Sequence, residues 1–275
     1  MTEYKQVEFF KYQGAGNDFI LFEDFSGKLK GPTAHEILKL CDRNYGIGGD
    51  GVIILQSSII ATTKMRIFNA DGGEADICGN GLRCTVAHFG HEKVSIETNA
   101  GICIGESRST GIFVTLPCAE DIMSPLALEN NQTAHLINMG VPHLIIMVES
   151  LEDIEFEHKA RKLRNHKMFA PAGVNVSYIT TSNDSIFIRT YERGVEGETL
   201  ACGTASAAAA FVMRNYDKKR KSMYTVYPKS LNPLHFIFDN QGRIGMLGPA
   251  SRVFQGQIHL SVESQIKRTL STIRG

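Results

Sequence analysis

Ala75-Asp76-Ile77-Cys78-Gly79-Asn80-Gly81 and Thr199-Leu200-Ala201-Cys202-Gly203-Thr204-Ala205 set a thiol into the same local frame twice in one chain. In each, the cysteine stands directly before a small-residue turn and a helix-forming run, residues 82–89 after Cys78 and 206–213 after Cys202. Glu74 and Glu198 each precede their thiol by four residues. A thiol at a helix start sits at the positive end of the helix dipole, which favours the thiolate. A single cysteine of this kind points to a nucleophile. A duplicated one points to two acid/base groups facing one site from opposite sides.

The duplication extends upstream of both cysteines. Arg66-Ile67-Phe68-Asn69 matches Arg189-Thr190-Tyr191-Glu192. Gly48-Gly49-Asp50-Gly51-Val52 matches Ala172-Gly173-Val174-Asn175-Val176, at nearly the same distance from its cysteine. Gly14-Ala15-Gly16-Asn17-Asp18-Phe19 loosely matches Gly140-Val141-Pro142-His143-Leu144. One duplication of this length predicts two similar domains rather than a solenoid, whose periods are far shorter. The predicted division is residues 1–118 plus 250–275, carrying Cys78, and 119–249, carrying Cys202, with a linker near 117–125.

β-Branched or alternating runs predict strands at 7–12, 19–23, 52–56, 64–69, 94–98, 112–116, 135–139, 144–148, 174–179, 185–191, 223–227, 234–238 and 253–260. Amphipathic patterns predict helices at 33–43, opened by a Thr33/Glu36 capping box, and at 153–164. The helix after Cys202 is apolar nearly all round, so it must be buried on every side. Many strands per helix predict an α+β fold of two pseudo-symmetric domains, each a mostly antiparallel sheet or barrel wrapped around a central helix. The polar composition of 261–275 predicts partial disorder.

Composition excludes several classes of partner. The chain has 275 residues, with 29 Lys+Arg against 29 Asp+Glu, and this even balance argues against nucleic acid or an anionic membrane as the main partner. No basic segment followed by an apolar core opens the chain, and no run of about 18 apolar residues occurs; both predict a cytoplasmic protein with reduced cysteines. No Cys-x-x-Cys pair is present, and the Cys78–Cys84 spacing does not suit zinc, so no metal site is expected. Cys41, Cys84, Cys103 and Cys118 read as small core hydrophobes or bystanders. Gly46–Gly49 lacks the Lys-Ser/Thr of a phosphate loop. His88, His91, His158 and His166 read as packed or solvated helix residues.

Two helix-cap thiols facing one carbon define a chemistry. One, as thiolate, removes a proton; the other, as thiol, returns a proton to the opposite face and inverts the stereocentre. A thiol of pKa near ~8.5, lowered by a helix start, can take either role near neutrality. Backbone N–H groups at Gly79, Asn80, Gly203 and Thr204 are placed to hold the substrate carboxylate and the charge that develops on it. No pyridoxal phosphate, metal or other cofactor is required.

The segments Asp76-Ile77-Cys78-Gly79-Asn80-Gly81-Leu82-Arg83-Cys84 and Gly197-Glu198-Thr199-Leu200-Ala201-Cys202-Gly203-Thr204 resemble the two motifs of the diaminopimelate epimerase family. Gly14 to Phe19, Phe68-Asn69-Ala70-Asp71-Gly72, Pro142-His143 and Tyr191-Glu192-Arg193-Gly194 extend the resemblance over nearly the whole chain. It implies cofactor-independent conversion of LL-diaminopimelate to the meso form, for lysine and cell-wall synthesis, by a protein that is often a homodimer. It implies that Cys78 and Cys202 are the two bases, that His143 supports Cys78 and that Glu192 supports Cys202. Asn17, Asn69, Gly79, Asn80, Asn175, Glu192, Arg193, Gly203 and Thr204 match substrate-holding positions.

Val141, Gly51 and Ala205 depart from the family, which often carries Asn, in some members Gln, and usually Gly at those places. The first two departures predict looser recognition of the distal end of the substrate. A racemase of proline or another amino acid, a cysteine hydrolase using Cys78 with His143, and a non-catalytic binding module are the competing readings.

Overall fold

A computed structural model of the chain describes residues 4–27, 31–90, 93–128, 132–152 and 155–261. The tail 262–275, His91 and the first two residues of the predicted helix 153–164 lie outside the described residues.

One series of pairings is laid down twice. In the first half β1 (Tyr4–Gly14) forms a hairpin with β2 (Asn17–Asp24). The two turn residues, Ala15 and Gly16, have φ of 56° and 88°. Positive φ at both central positions matches the twist of the strands and delivers Asn17 at the hairpin end. A crossover through α1 (Ala34–Cys41) leads to β3 (Gly51–Gln56), parallel to β2. The expected capping box is formed: Thr33 Oγ1 accepts the Glu36 N–H, and Glu36 accepts the Thr33 N–H.

β4 (Thr63–Asn69) returns antiparallel to β3 and carries the short β5 (Glu74–Ala75). A second crossover, through α2 (Gly79–Phe89), reaches β6 (Lys93–Thr98), parallel to β4. β7 (Gly101–Arg108) and β8 (Gly111–Thr115) follow as antiparallel neighbours.

The second half opens with β9 (Glu120–Ala127), which pairs with β10 (Thr133–Asn138). From β10 on, the first half's order recurs. β11 (Pro142–Met147) pairs antiparallel with β10, α3 (Phe156–Arg164) crosses over, and β12 (Asn175–Ser182) runs parallel to β11. β13 (Ser185–Glu192) carries the short β14 (Gly197–Glu198), and α4 (Gly203–Tyr216) crosses to β15 (Met223–Tyr227), parallel to β13. β16 (Leu234–Phe238) and β17 (Ile244–Gly248) complete the series. β18 (Ser251–Ser261) returns to pair with β1, and β17 pairs with β8, so the halves share one continuous sheet. The fold is α+β with two pseudo-symmetric halves, each wrapped around one central helix.

The repeat is also kept in side chains. Arg66 of β4 grips Glu74 with two N–H bonds at 2.8 and 2.7 Å. Arg189 of β13 grips Glu198 likewise, at 2.7 and 2.9 Å. Each pair fixes the short strand that leads into a thiol.

The main core joins the halves. Leu82, Cys84 and Val86 of α2 and Ala205 and Ala207–Ala210 of α4 belong to one buried cluster. The alanines let strands approach α4 closely, which satisfies its all-round apolar surface. α1 and α3 instead cover the outer faces, over Ile20, Val52 and Phe68 and over Leu144, Val176 and Tyr178.

Five strands escape the sequence reading, two of them the two-residue β5 and β14. β7 holds two glycines, β17 is buried on both faces and shows no alternation, and the mostly exposed β9 lies where a linker was expected.

Candidate active site

The starts of α2 and α4 meet in the middle of the molecule. Cys78 opens α2 with an extended backbone (φ −142°, ψ 118°), and its Sγ accepts the Gly81 N–H at 3.5 Å. Cys202 opens α4 in the same way (φ −114°, ψ 112°), with its Sγ 3.6 Å from Thr204 Oγ1. Both thiols therefore stand at the positive end of a buried helix. Met246 of β17 wedges between the two starts. A Cβ on Gly79 would lie 2.5 Å from Met246 Cε, and one on Gly203 3.3 Å from Met246 Sδ. The glycine after each cysteine is thus a packing requirement as well as a source of free N–H groups.

Asn80 ties the starts together. Its Nδ2 donates to Asn17 Oδ1 at 2.9 Å and to the Ala201 carbonyl at 3.1 Å, one residue before Cys202. Its Oδ1 accepts from Arg83 at 2.9 Å. The side chain of Asn80 is fully used within the protein, so a substrate would meet its backbone rather than its amide.

Burial pushes the Cys78 thiol up to about 11; the Gly81 and Asn80 N–H groups oppose this and the Glu192 carboxylate adds to it. Burial likewise drives Cys202 well above the ordinary thiol range, with Glu192 and Cys78 adding and the Ala205 N–H and Thr204 hydroxyl opposing. Both thiols thus feel Glu192, and Cys202 feels Cys78. Glu192 ends β13, where it accepts from the Thr199 hydroxyl and lies within electrostatic reach of the Cys202 thiol. Burial raises its carboxyl above the ordinary value.

The remaining expected residues are held by contacts of their own. Asn17 Nδ2 donates to Asp50 Oδ2 at 2.8 Å. Asn175 Nδ2 donates to the Pro142 carbonyl at 3.4 Å, and its Oδ1 accepts the Arg193 N–H at 2.8 Å. Asn69, from the first half, faces the Arg193–Gly194 turn of the second: a Cβ on Gly194 would lie 3.4 Å from Asn69 Nδ2 and 3.3 Å from Asp71 Oδ2. Arg193 makes no ion pair among the described residues.

His143 stands opposite Asn175 in the β11–β12 register and is fully buried. Neither ring nitrogen has a hydrogen-bond partner among the described residues, and no bond joins it to Cys78. Burial, and secondarily the charge of Arg193, lowers it to about 3, so the ring is neutral.

The structure also adds residues to the site. Asp50 orients Asn17 and lies within electrostatic reach of Glu192. Thr199 holds Glu192, Arg83 holds Asn80, and Met246 separates the helix starts. Arg83 and Thr199 lie inside the two motifs, whereas nothing in the sequence marks Met246.

Gly51 faces away from any open space: a Cβ there would lie 2.5 Å from the Phe68 carbonyl oxygen and 3.4 Å from the Phe19 ring. A side chain at 51 would therefore meet packed backbone first. Among the described residues no group of three or more His, Cys, Asp or Glu side chains could hold a metal ion. No described helix is long and apolar enough to cross a membrane.

Two pseudo-symmetric halves with a capped helix start in each define a fold shared with solved epimerases and racemases. A hydroxyproline epimerase from Agrobacterium vitis superposes with a TM-score of 0.69 at 15% identity, covering 94% of each chain. A Bacillus anthracis phenazine biosynthesis protein of the PhzF family superposes with a TM-score of 0.68 at 18% identity, over 92% of this chain and 99% of that one.

Sequence narrows the relationship. The profile of the family described as diaminopimelate epimerase matches residues 9–111 and 135–253. Proteins named diaminopimelate epimerase from Methanocella arvoryzae and Methanothrix thermoacetophila are 36% and 38% identical to the chain, covering 92% of it and 97% and 96% of the relatives. The chain belongs to the diaminopimelate epimerase family.

Proposed function

We propose that the chain epimerises LL-2,6-diaminopimelate to the meso form without a cofactor, by moving protons at one α-carbon between Cys78 and Cys202. The observation that carries this reading is the pair of thiols capping two buried helices whose starts are clipped together by Asn80, with Glu192 in reach of both.

In the LL-to-meso direction one thiolate takes the α-proton, forming its S–H bond as the C–H bond breaks. The opposite thiol then gives up its proton to the other face. The reverse direction exchanges the roles. Burial keeps both sulfurs protonated in the empty site, so a base must act first. Glu192 lies within reach of Cys202, and burial raises its carboxyl, which makes it a better proton acceptor than an ordinary carboxylate. The helix-start N–H groups stabilise the charge that develops on the substrate carboxylate. Arg193, without an ion pair among the described residues, suits the distal carboxylate.

His143 enters as the group that assists Cys78 in the family's scheme. Its buried ring is neutral, and a His143→Gln variant measures its share. The homodimer belongs to the same reading and is tested by mass in solution.

Incubation with LL-diaminopimelate and resolution of the stereoisomers tests the function: meso product supports it. Turnover of proline, or of other L-amino acids in place of diaminopimelate, would move the reading to a racemase of this fold.

A further inference from the structure

Arg83 is among the largest fully buried side chains, and no carboxylate pairs with it among the described residues. A buried arginine without an acidic partner is costly, and such groups persist where they do specific work. Here the guanidinium reaches three acceptors. Its Nε donates to the Pro249 carbonyl at 3.2 Å, one terminal nitrogen to Met246 Sδ at 2.9 Å, and the other to Asn80 Oδ1 at 2.9 Å.

Two of these partners control the thiols. Asn80 has one acceptor and two donors, all engaged. Turning its amide over would aim N–H groups at the guanidinium and an oxygen at the Ala201 carbonyl. The Arg83 bond therefore selects the orientation in which Asn80 binds Ala201, next to Cys202. Met246, the other partner, is the spacer between Gly79 and Gly203.

Resting on the two-thiol reading, we infer that Arg83 is a positioning residue: through Asn80 and Met246 it fixes where the start of α4, and so Cys202, sits relative to Cys78. It touches neither the reacting carbon nor the substrate. Its charge faces Cys84 and Cys78, the titratable groups around it, and helps hold down the Cys78 thiol, on which Glu192 acts in the opposite sense.

The test uses the full chain as Arg83→Met, Arg83→Lys and Asn80→Ala, with kcat, KM, the pH dependence of kcat/KM, and the rate at which diamide links Cys78 to Cys202, mapped by mass spectrometry. A displacement of the second thiol by about 1 Å costs roughly 100-fold in kcat, and KM should move by less than about threefold. Arg83→Met is expected to show that split, a slower Cys78–Cys202 link, and an acidic limb moved to higher pH. Arg83→Lys, keeping the charge without the planar fork, should restore the limb but not kcat. Asn80→Ala should lower kcat with the limb unmoved.

A folded Arg83→Met variant with wild-type kcat and linking rate overturns the inference, as does equal loss in all variants with no movement of the limb. Where Arg83→Met fails to fold, Arg83→Lys and Asn80→Ala decide: wild-type kcat and linking in both overturns it. Failure of the two-thiol reading is distinguished by the wild type itself, which would then show either no α-deuteration or label in recovered substrate and product alike. The linking rates would still report whether Arg83 positions the two cysteines.

Discussion

Replacing Gly51 by alanine tests whether the chain has read its own departure from the family as packing. The added Cβ would lie 2.5 Å from the Phe68 carbonyl oxygen, against an ordinary carbon–oxygen approach of about 3.3 Å. Gly51 is not among the positive-φ positions, so its backbone suits alanine and the clash is the whole effect. Relief requires β3 and β4 to part by nearly 1 Å where Gly51 faces Asn69 and Val52 faces Phe68.

Crowding of this kind costs about 1–3 kcal/mol, and a weakened ladder bond about 1 kcal/mol. The smaller entropy loss of alanine returns about 0.5–1 kcal/mol. The balance is about 2 kcal/mol, or a melting temperature lower by about 4–8 °C. Because the strand ends carry Asp50 and Asn69, activity should fall as well. Gly197→Ala, whose Cβ meets nothing within 4 Å, is the control and should melt with the wild type. A Gly51→Ala or Gly51→Gln protein as stable as the wild type would refute the packing argument and restore a missing substrate contact at 51.

Other outcomes follow from the same geometry. Cys78→Ala and Cys202→Ala should each abolish epimerisation; wild-type turnover of either variant removes the two-base scheme. Stability should also fall with alkali. Burial raises Cys41, Cys78 and Cys103 to about 11 and Cys84 to about 12 from an ordinary 9.0. A raised folded-state pKa contributes stability fully below pH 9 and loses it as pH climbs through 11, at about 1.4 kcal/mol per thiol by pH 10. Urea midpoints across pH 8–10 should show this loss, and Cys103→Val should remove one share of it; a flat profile contradicts the burial. Glu198→Gln should cost about 2–3 kcal/mol, because the carboxylate that pairs with Arg189 and Lys229 is itself buried, whereas Glu74→Gln, whose carboxylate is partly exposed, should cost under about 1 kcal/mol in the same unfolding assay.

The parts of this account legible in the sequence are those with a local cause. The two Cys-Gly frames announced helix starts because a small residue after a cap leaves room, and Met246 fills that room in the fold. The arginine and the glutamate that precede each thiol form an ion pair in both halves. Asn69 and Glu192, aligned by the duplication, both ended up closing a strand beside the site.

What stayed hidden depends on distant chain segments. β17 is buried on both faces and carries no alternation, yet it supplies Met246 and joins the halves through β8. The side-chain amide of Asn80 is satisfied by Ala201, Asn17 and Arg83, two of them from remote segments, which leaves its backbone N–H as the group offered to substrate. His143 stands beside Asn175 in the β11–β12 register, but no spacing along the chain could report that both its nitrogens are buried and, among the described residues, without a hydrogen-bond partner.

The two-thiol proposal meets its most direct test in deuterated water, with LL-diaminopimelate and the location of the label followed at the earliest times. Two opposed sulfurs predict deuterium in the inverted α-carbon of the meso product while recovered LL substrate stays unlabelled. Label entering substrate and product equally from the outset, or no α-deuteration at all, contradicts it.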